Sequence, residues 1–256
     1  VVNHTSDEHP WFEAAKQDRH NKYHQYYIWR RDDGSHTPPN NWESLFSGSA
    51  WNYYEAVDSW AMHAFSKKQM DLNWENPAVR HDIYKMINWW LDKGIDGFRC
   101  DMACEVPFEF WTKTISSLRK DWPQMYMLAE GEDPKLHESG FDASYAWELH
   151  HLLNDIAQGK KGIPELLEYV KHDAERFPQD AFRLMFTSNH DENSWAGTEF
   201  ERMGDAAKVM AVLTFTLPNG QPLIYTGQEI GWNHRFQFFE KDPVPAWEVN
   251  EFAQFY

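Results

Sequence analysis

The 256-residue chain has only two cysteines, Cys100 and Cys104. That is too few for a disulfide scaffold, and their spacing matches no metal-binding pattern, so both are expected to be buried thiols. No run of about 18 apolar residues occurs, which excludes a membrane-spanning helix within this sequence. Basic residues are scarce, with 24 Lys and Arg against 40 Asp and Glu, a net charge of −16. Such a charge repels phosphate backbones and anionic membranes and argues against nucleic acid as a partner. A Gly-rich phosphate loop and an HExxH metal motif are both missing, as are a signal peptide, an internal repeat and any low-complexity tract. The chain opens on "VVNHTS", without Met and as if inside a strand. A fragment is therefore expected, and localisation in the cytoplasm, the periplasm or outside the cell stays open.

Aromatic residues, in contrast, are abundant: 14 Trp, 11 Tyr and 17 Phe. Flat rings suit a large core, and they suit equally the apolar faces of sugars or other stacked ligands. Residues 7 to about 70 are polar and irregular, with turn chemistry in "DDGSHTPPNN" (Asp32 to Asn41), and read as a long insertion. From Asn76 the pattern changes. Asn76 can cap, Pro77 suits a first helical position, and Ile83, Met86, Ile87, Trp90 and Leu91 follow helical spacing up to Gly94. Short apolar runs come next at "GIDGFRCD" (Gly94 to Asp101), "MYMLAE" (Met125 to Glu130), "FRLMFTS" (Phe182 to Ser188) and "PLIYTG" (Pro222 to Gly227). Helical stretches such as Pro164 to Glu175 and Asp205 to Leu217 separate them. Strands alternating with helices predict parallel βαβ units.

Polar residues gather where these strands end: His4, Asp101, Glu130 and the "SNHD" group, Ser188 to Asp191. In a β/α barrel the carboxyl ends of the strands share one face, and sites are built there; in a doubly wound sheet they line a crevice. Several carboxylates on one face suit either a metal site or acid/base work. The nearest metal-like stretch, "ELHH" (Glu148 to His151), places its histidines about 100° apart on a helix and reads as solvated or capping. Glycoside hydrolysis needs one ionised carboxylate and one protonated carboxyl. Arg99, two residues before Asp101, shares its strand face and can keep it charged. Glu130 comes after Met127, Leu128 and Ala129, an apolar approach of the kind that keeps a carboxyl protonated. Glu132, two residues further on, is the alternative acid.

"VVNHTS", "GFRCD", "LAEGE" and "TSNHDE" resemble, in order and spacing, the four short regions that mark the α-amylase family of retaining glycoside hydrolases. "HPWF", "YYIW", "PNNW", "GSAW" and "QMDLNWENPAVR" look like its α-glucosidase and oligo-1,6-glucosidase branch, while "DMACEV" is more similar to the neopullulanase pattern. The resemblance implies a (β/α)8 TIM barrel, here incomplete, with about six of eight strands, from strand 3 to strand 8. Residues 1–6 and 71–256 would form the partial catalytic barrel, and residues 7–70 a domain inserted between strand 3 and helix 3. It further implies Asp101 as nucleophile, Glu130 as general acid/base and Asp191 as third carboxylate, with His4, Arg99 and His190 around the bound sugar.

The implied function is retaining hydrolysis of α-glucosidic bonds in starch-derived α-glucans or maltooligosaccharides through a glycosyl-aspartate intermediate. No cofactor is required for that chemistry. Of the calcium site common in α-amylases only Asn3 remains by motif, since Cys104 and Glu105 stand where many members carry Lys-His. Met70 and Met102 depart from the oligo-1,6-glucosidase pattern, and the arginine often found after "NHD" is missing. A transglycosylase acting on sucrose, trehalose or glucan would use the same residues, and a non-catalytic carbohydrate-binding relative is the third reading. With two barrel strands outside it, the segment by itself is expected to be insoluble or molten.

Overall fold

The computed structural model describes residues 3–256; Val1 and Val2, which open "VVNHTS", lie outside them. The chain divides into two units, Val1–Met127 and Leu128–Tyr256. In the first, β1 (His4–Ser6) leads to α1 (Pro10–Ala15), β2 (Trp29–Arg31), the short β3 (Glu43–Ser44) and β4 (Gly48–Ser49), β5 (Trp51–Tyr54), β6 (Ser59–Met62) and β7 (Gln69–Asp71). β1 runs antiparallel to β7, with His4 opposite Asp71. The segment expected to be irregular contains a three-stranded antiparallel sheet in the order β2-β6-β5. Its tight connection places Asp58 in the left-handed region, at φ 49°. Around it, Phe12 is fully buried and stacks on Trp29, with ring centres 5.8 Å apart, so part of the aromatic surplus is core.

Helix α2 (Pro77–Leu91) starts as expected, with Asn76 Oδ1 accepting the Ala78 N–H at 2.9 Å and Pro77 in the first turn. Val79, Ile83, Ile87 and Leu91 recur every fourth residue and form its buried face. It delivers the chain to β8 (Gly97–Cys100), after which come α3 (Phe108–Leu118) and β9 (Tyr126–Ala129). The Tyr126 N–H bonds the Asp96 carbonyl at 2.9 Å. Gly97 allows this approach, since a Cβ there would lie 1.9 Å from the Tyr126 carbonyl oxygen.

The second unit continues the alternation with α4 (Lys135–Glu138), β10 (Ala143–Tyr145), α5 (Trp147–Ala157), α6 (Ile163–Arg176), β11 (Phe182–Phe186), α7 (Glu199–Met203), α8 (Ala207–Thr216) and β12 (Gly220–Leu223). β10 is parallel to both β9 and β11, and β11 is parallel to β12. The sheet order is β12-β11-β10-β9-β8. Leu184 and Phe186 pack with Tyr145 on one face of the sheet. Met185, on the opposite face, joins Leu149, Leu153, Tyr169 and Met210 from the helices. Such a parallel, helix-covered sheet is a part of a (β/α)8 barrel.

Two boundaries differ from expectation. The strand expected to end at His4 falls largely on Val1 and Val2, outside the described residues, and the stretch beginning at His4, β1, belongs to an antiparallel ladder. The described residues therefore hold five parallel strands, and the sixth expected one lies outside them. The last strand spans Gly220–Leu223, not Pro222–Gly227. Pro222 is accommodated because β12 is at the edge of the described sheet, where no partner needs its missing N–H.

Candidate active site

Asp101 comes directly after β8, and the Arg99 Nη1 group contacts its Oδ1. Strand alternation turns both toward one face, while Cys100 between them is fully buried on the other. Burial pushes the Cys100 thiol up to about 12, the mark of an inert structural thiol. Cys104, expected to be buried as well, is exposed. It lies in the 3-10 turn Ala103–Glu105, where Ala103 takes the inward position.

His4 shares this unit with Asp101. Its Nδ1 lies 2.9 Å from Asn3 Oδ1 and its Nε2 3.1 Å from the Gln69 amide. Burial lowers its pKa and the charge of Asp101 opposes that shift. The other end of the Asn3 amide donates to Asp71 Oδ1 at 3.0 Å, and Asp71 Oδ2 accepts the Ala64 N–H at 2.5 Å. Both polar ends of Asn3 are thus engaged by protein. Among the described residues no group of three or more His, Cys, Asp or Glu side chains is placed to hold a metal ion.

In the second unit Glu130 comes directly after β9 and is half-buried. Glu132, the alternative acid, is occupied: Arg183 Nη2 reaches its Oε1 at 2.5 Å and the Glu148 N–H donates to its Oε2 at 2.8 Å. Arg183 is fully buried on β11. Its Nε also bonds Asp173 Oδ1 at 3.1 Å, its Nη1 contacts Ser144 Oγ, and its guanidinium lies 3.7 Å from the Phe177 ring centre. Burial raises the pKa of Glu132 against the Arg183 charge. This network escapes sequence reading, because an arginine buried between a strand and its covering helices has no local signature.

Asp191 and His190 lie just beyond β11, with His190 Nε2 3.5 Å from Asp191 Oδ2. Asn189 Oδ1 accepts the N–H groups of Asp191 and Glu192 at 3.0 and 2.8 Å, fixing the start of this segment. His150, expected to be solvated or capping, is instead buried. Its Nδ1 lies 3.2 Å from the Phe186 carbonyl and its Nε2 2.9 Å from Glu192 Oε2. It ties the end of β11 to the residue after Asp191. The hydrogen bond from His150 lowers the pKa of Glu192.

A parallel sheet with carboxylates just past the carboxyl ends of its strands defines a β/α-barrel domain of the kind that carries sites on that end. The chain belongs to the alpha-amylase family: that family's catalytic domain matches residues 1–254. It is 34% identical to an oligo-1,6-glucosidase of Parageobacillus thermoglucosidasius over 94% of this chain and 50% of that protein. It is also 34% identical to a glucan 1,6-alpha-glucosidase of Streptococcus pneumoniae over 99% of this chain and 52% of that protein. Among solved structures it is similar to isomaltulose synthase from Erwinia rhapontici NX5, with TM-score 0.74, 27% identity, and 93% of this chain and 50% of that one covered. It also resembles trehalose-6-phosphate hydrolase of Bacillus licheniformis, with TM-score 0.72, 29% identity, and 91% and 49% covered. The chain spans about half the length of the curated relatives it matches.

Proposed function

We propose that the protein carrying this chain is a retaining glycoside hydrolase for α-glucosidic bonds in starch-derived α-glucans or maltooligosaccharides. The observation supporting this reading is that Asp101 and Glu130 each come one residue after the end of neighbouring parallel strands, with Arg99 against Asp101. In this reading Asp101 attacks the anomeric carbon while Glu130 gives its proton to the departing glycosidic oxygen. Glu130, now a carboxylate, then takes a proton from water, which displaces Asp101 and restores both groups with configuration retained. Asp191, His190, His4 and Arg99 hold the hydroxyls of the sugar whose bond is cleaved. Glu132, with both oxygens already bonded, serves as a structural acceptor.

The reading requires the carboxyl groups of Asp101 and Glu130 to be about 5 to 6 Å apart, the retaining distance. At natural length, incubation with maltotriose, panose and sucrose is expected to release glucose; elongated oligosaccharides would make the protein a transglycosylase, and silence on all three would remove the activity. Asp101→Asn is expected to lower turnover by about 10⁴-fold while leaving the melting transition in place, as loss of a covalent nucleophile does. More than a tenth of the activity remaining would place the nucleophile elsewhere.

A further inference from the structure

Glu130 and Glu132 stand two residues apart, yet the second unit uses them on opposite faces of the sheet. Leu128 packs with Tyr145, Leu184 and Phe186, and a period of two directs Glu130 to that same face. In a continuous strand Glu132 would follow it there. β9 ends at Ala129 instead, and Glu132 meets Arg183, which shares its β11 face with Met185, toward the helices. The reversal falls on Gly131, at φ 156°, the residue type with the greatest backbone freedom.

Glu132 is held at three atoms. Arg183 Nη2 bonds its Oε1, the Glu148 N–H its Oε2, and Arg176 Nη2 donates to its backbone carbonyl at 3.2 Å. These bonds come from β11, the first turn of α5 and the last turn of α6. Ser144 is in register with Ala129 on one side and with Arg183 on the other, so the buried guanidinium lies in the row of the residue before Glu130. A buried ion pair adds little net stability over apolar packing of the same volume. What it does fix is geometry. Asp191 has a similar neighbour: Glu192, the acidic residue after it, is bound at Oε2 by His150 and opens a π-helical turn, Glu192–Ala196. That turn closes with the Gly197 N–H on the Glu192 carbonyl at 3.0 Å.

We propose that Glu132 is a positioning residue for Glu130: by anchoring the far side of Gly131 it keeps the Glu130 carboxyl at the departing glycosidic oxygen; this rests on the glycosidase reading. Glu130 is fixed on its amino side by the pairing of Ala129 with Ser144. On its carboxyl side a glycine alone would let it swing, and the bonds to Glu132 stop that motion. Proton transfer requires hydrogen-bond distance, and a displacement of about 1 Å costs up to about 10²-fold in rate. The loss falls on bonds whose leaving group must be protonated. A 2,4-dinitrophenolate departs unaided, so its release does not depend on where the acid points.

The test compares kcat/KM for maltose with kcat/KM for 2,4-dinitrophenyl α-glucoside in the natural-length protein, since both report the cleavage that forms the glycosyl enzyme. Glu132→Ala is expected to lower the maltose-to-aryl ratio by about tenfold. Glu132→Gln, which keeps one oxygen to accept a bond, should lower it less. Arg176→Met, at a partly exposed position, removes the bond to the Glu132 carbonyl and the ion pair to Glu148, and should shift the ratio in the same direction by a smaller factor. It reads the same role if Glu132→Ala fails to fold. A part in stability alone would lower both constants together or neither, and an unchanged ratio in every folded variant overturns the positioning role. A parent protein that cleaves neither substrate would instead overturn the glycosidase reading, and the positioning role with it.

Discussion

Cys100 occupies the β8 position between Arg99 and Asp101, yet it faces away from both and is fully buried. Cys100→Ala removes one sulfur atom from packed surroundings and is expected to cost about 1 to 2 kcal/mol of stability, with turnover kept. Denaturant unfolding and steady-state rates measured on the same preparation check this; a rate loss without a stability loss would put the thiol on the reacting face. The alternation that separates Cys100 from its neighbours is readable in the sequence, because a period of two needs only the strand to be recognised. His150 is not readable in this way. Its role depends on Phe186 and Glu192, residues 36 and 42 positions away, and nothing in "ELHH" indicates which nitrogen meets which partner. Cys104 departs from expectation for a related reason: strand periodicity stops at Asp101, where Met102 turns left-handed at φ 47°.

Among the elements, helices with local punctuation are the most legible. Asn76 and Pro77 announce α2, and α6, expected at Pro164 to Glu175, spans Ile163–Arg176. The hairpin of β5 and β6 is hidden because its turn uses Asp58 in place of an Asn-Gly or Gly pair. Arg183 shares its β11 face with Met185, toward the helices, and carries a buried charge there. Arg183 compensates Glu132 and Asp173 together while fully buried, so Arg183→Met would leave two carboxylates without their cation. The expected loss is about 3 to 5 kcal/mol, the size seen when one partner of a buried pair is deleted. Adding Glu132→Gln and Asp173→Asn should recover part of it, as read by denaturant midpoint; a single variant as stable as the parent would show that solvent reaches the network.

At the scale of the whole molecule, buried titratable groups oppose one another as pH changes. Burial pushes the carboxyl of Asp71 up to about 6 from an ordinary 3.8, with Glu105 adding to the shift and the Ala64 N–H resisting it. Between those values the folded state binds more protons than the unfolded state. The Asp71 contribution is therefore fully present below about pH 4 and is lost as pH rises through 6. His63 and His137 act in the reverse sense. Burial lowers both below 6.5, so their contribution is present above that value and is lost on acidification. His63 is fully buried, and neither ring nitrogen has a hydrogen-bond partner among the described residues, which suits only the neutral form. The unfolding free energy of the natural-length protein minus that of its Asp71→Asn variant is expected to fall by roughly 3 kcal/mol between pH 4 and 7. A difference that does not change with pH would mean that Asp71 is charged throughout.

The π-helical turn Glu192–Ala196, directly after Asp191, has a consequence for how such a protein can diverge. A turn closed from Glu192 to Gly197 holds one residue more than an α-helical turn needs. Losing that residue can be absorbed by tightening to ordinary helical geometry, with Asp191 and Thr198 left where they are. Most segments of the second unit have no such slack, because a one-residue deletion in β11 would exchange its two faces. Loss of one codon between Asp191 and Trp195 is therefore tolerable here, and it re-aims Trp195 by about 100° while Asp191 keeps its place.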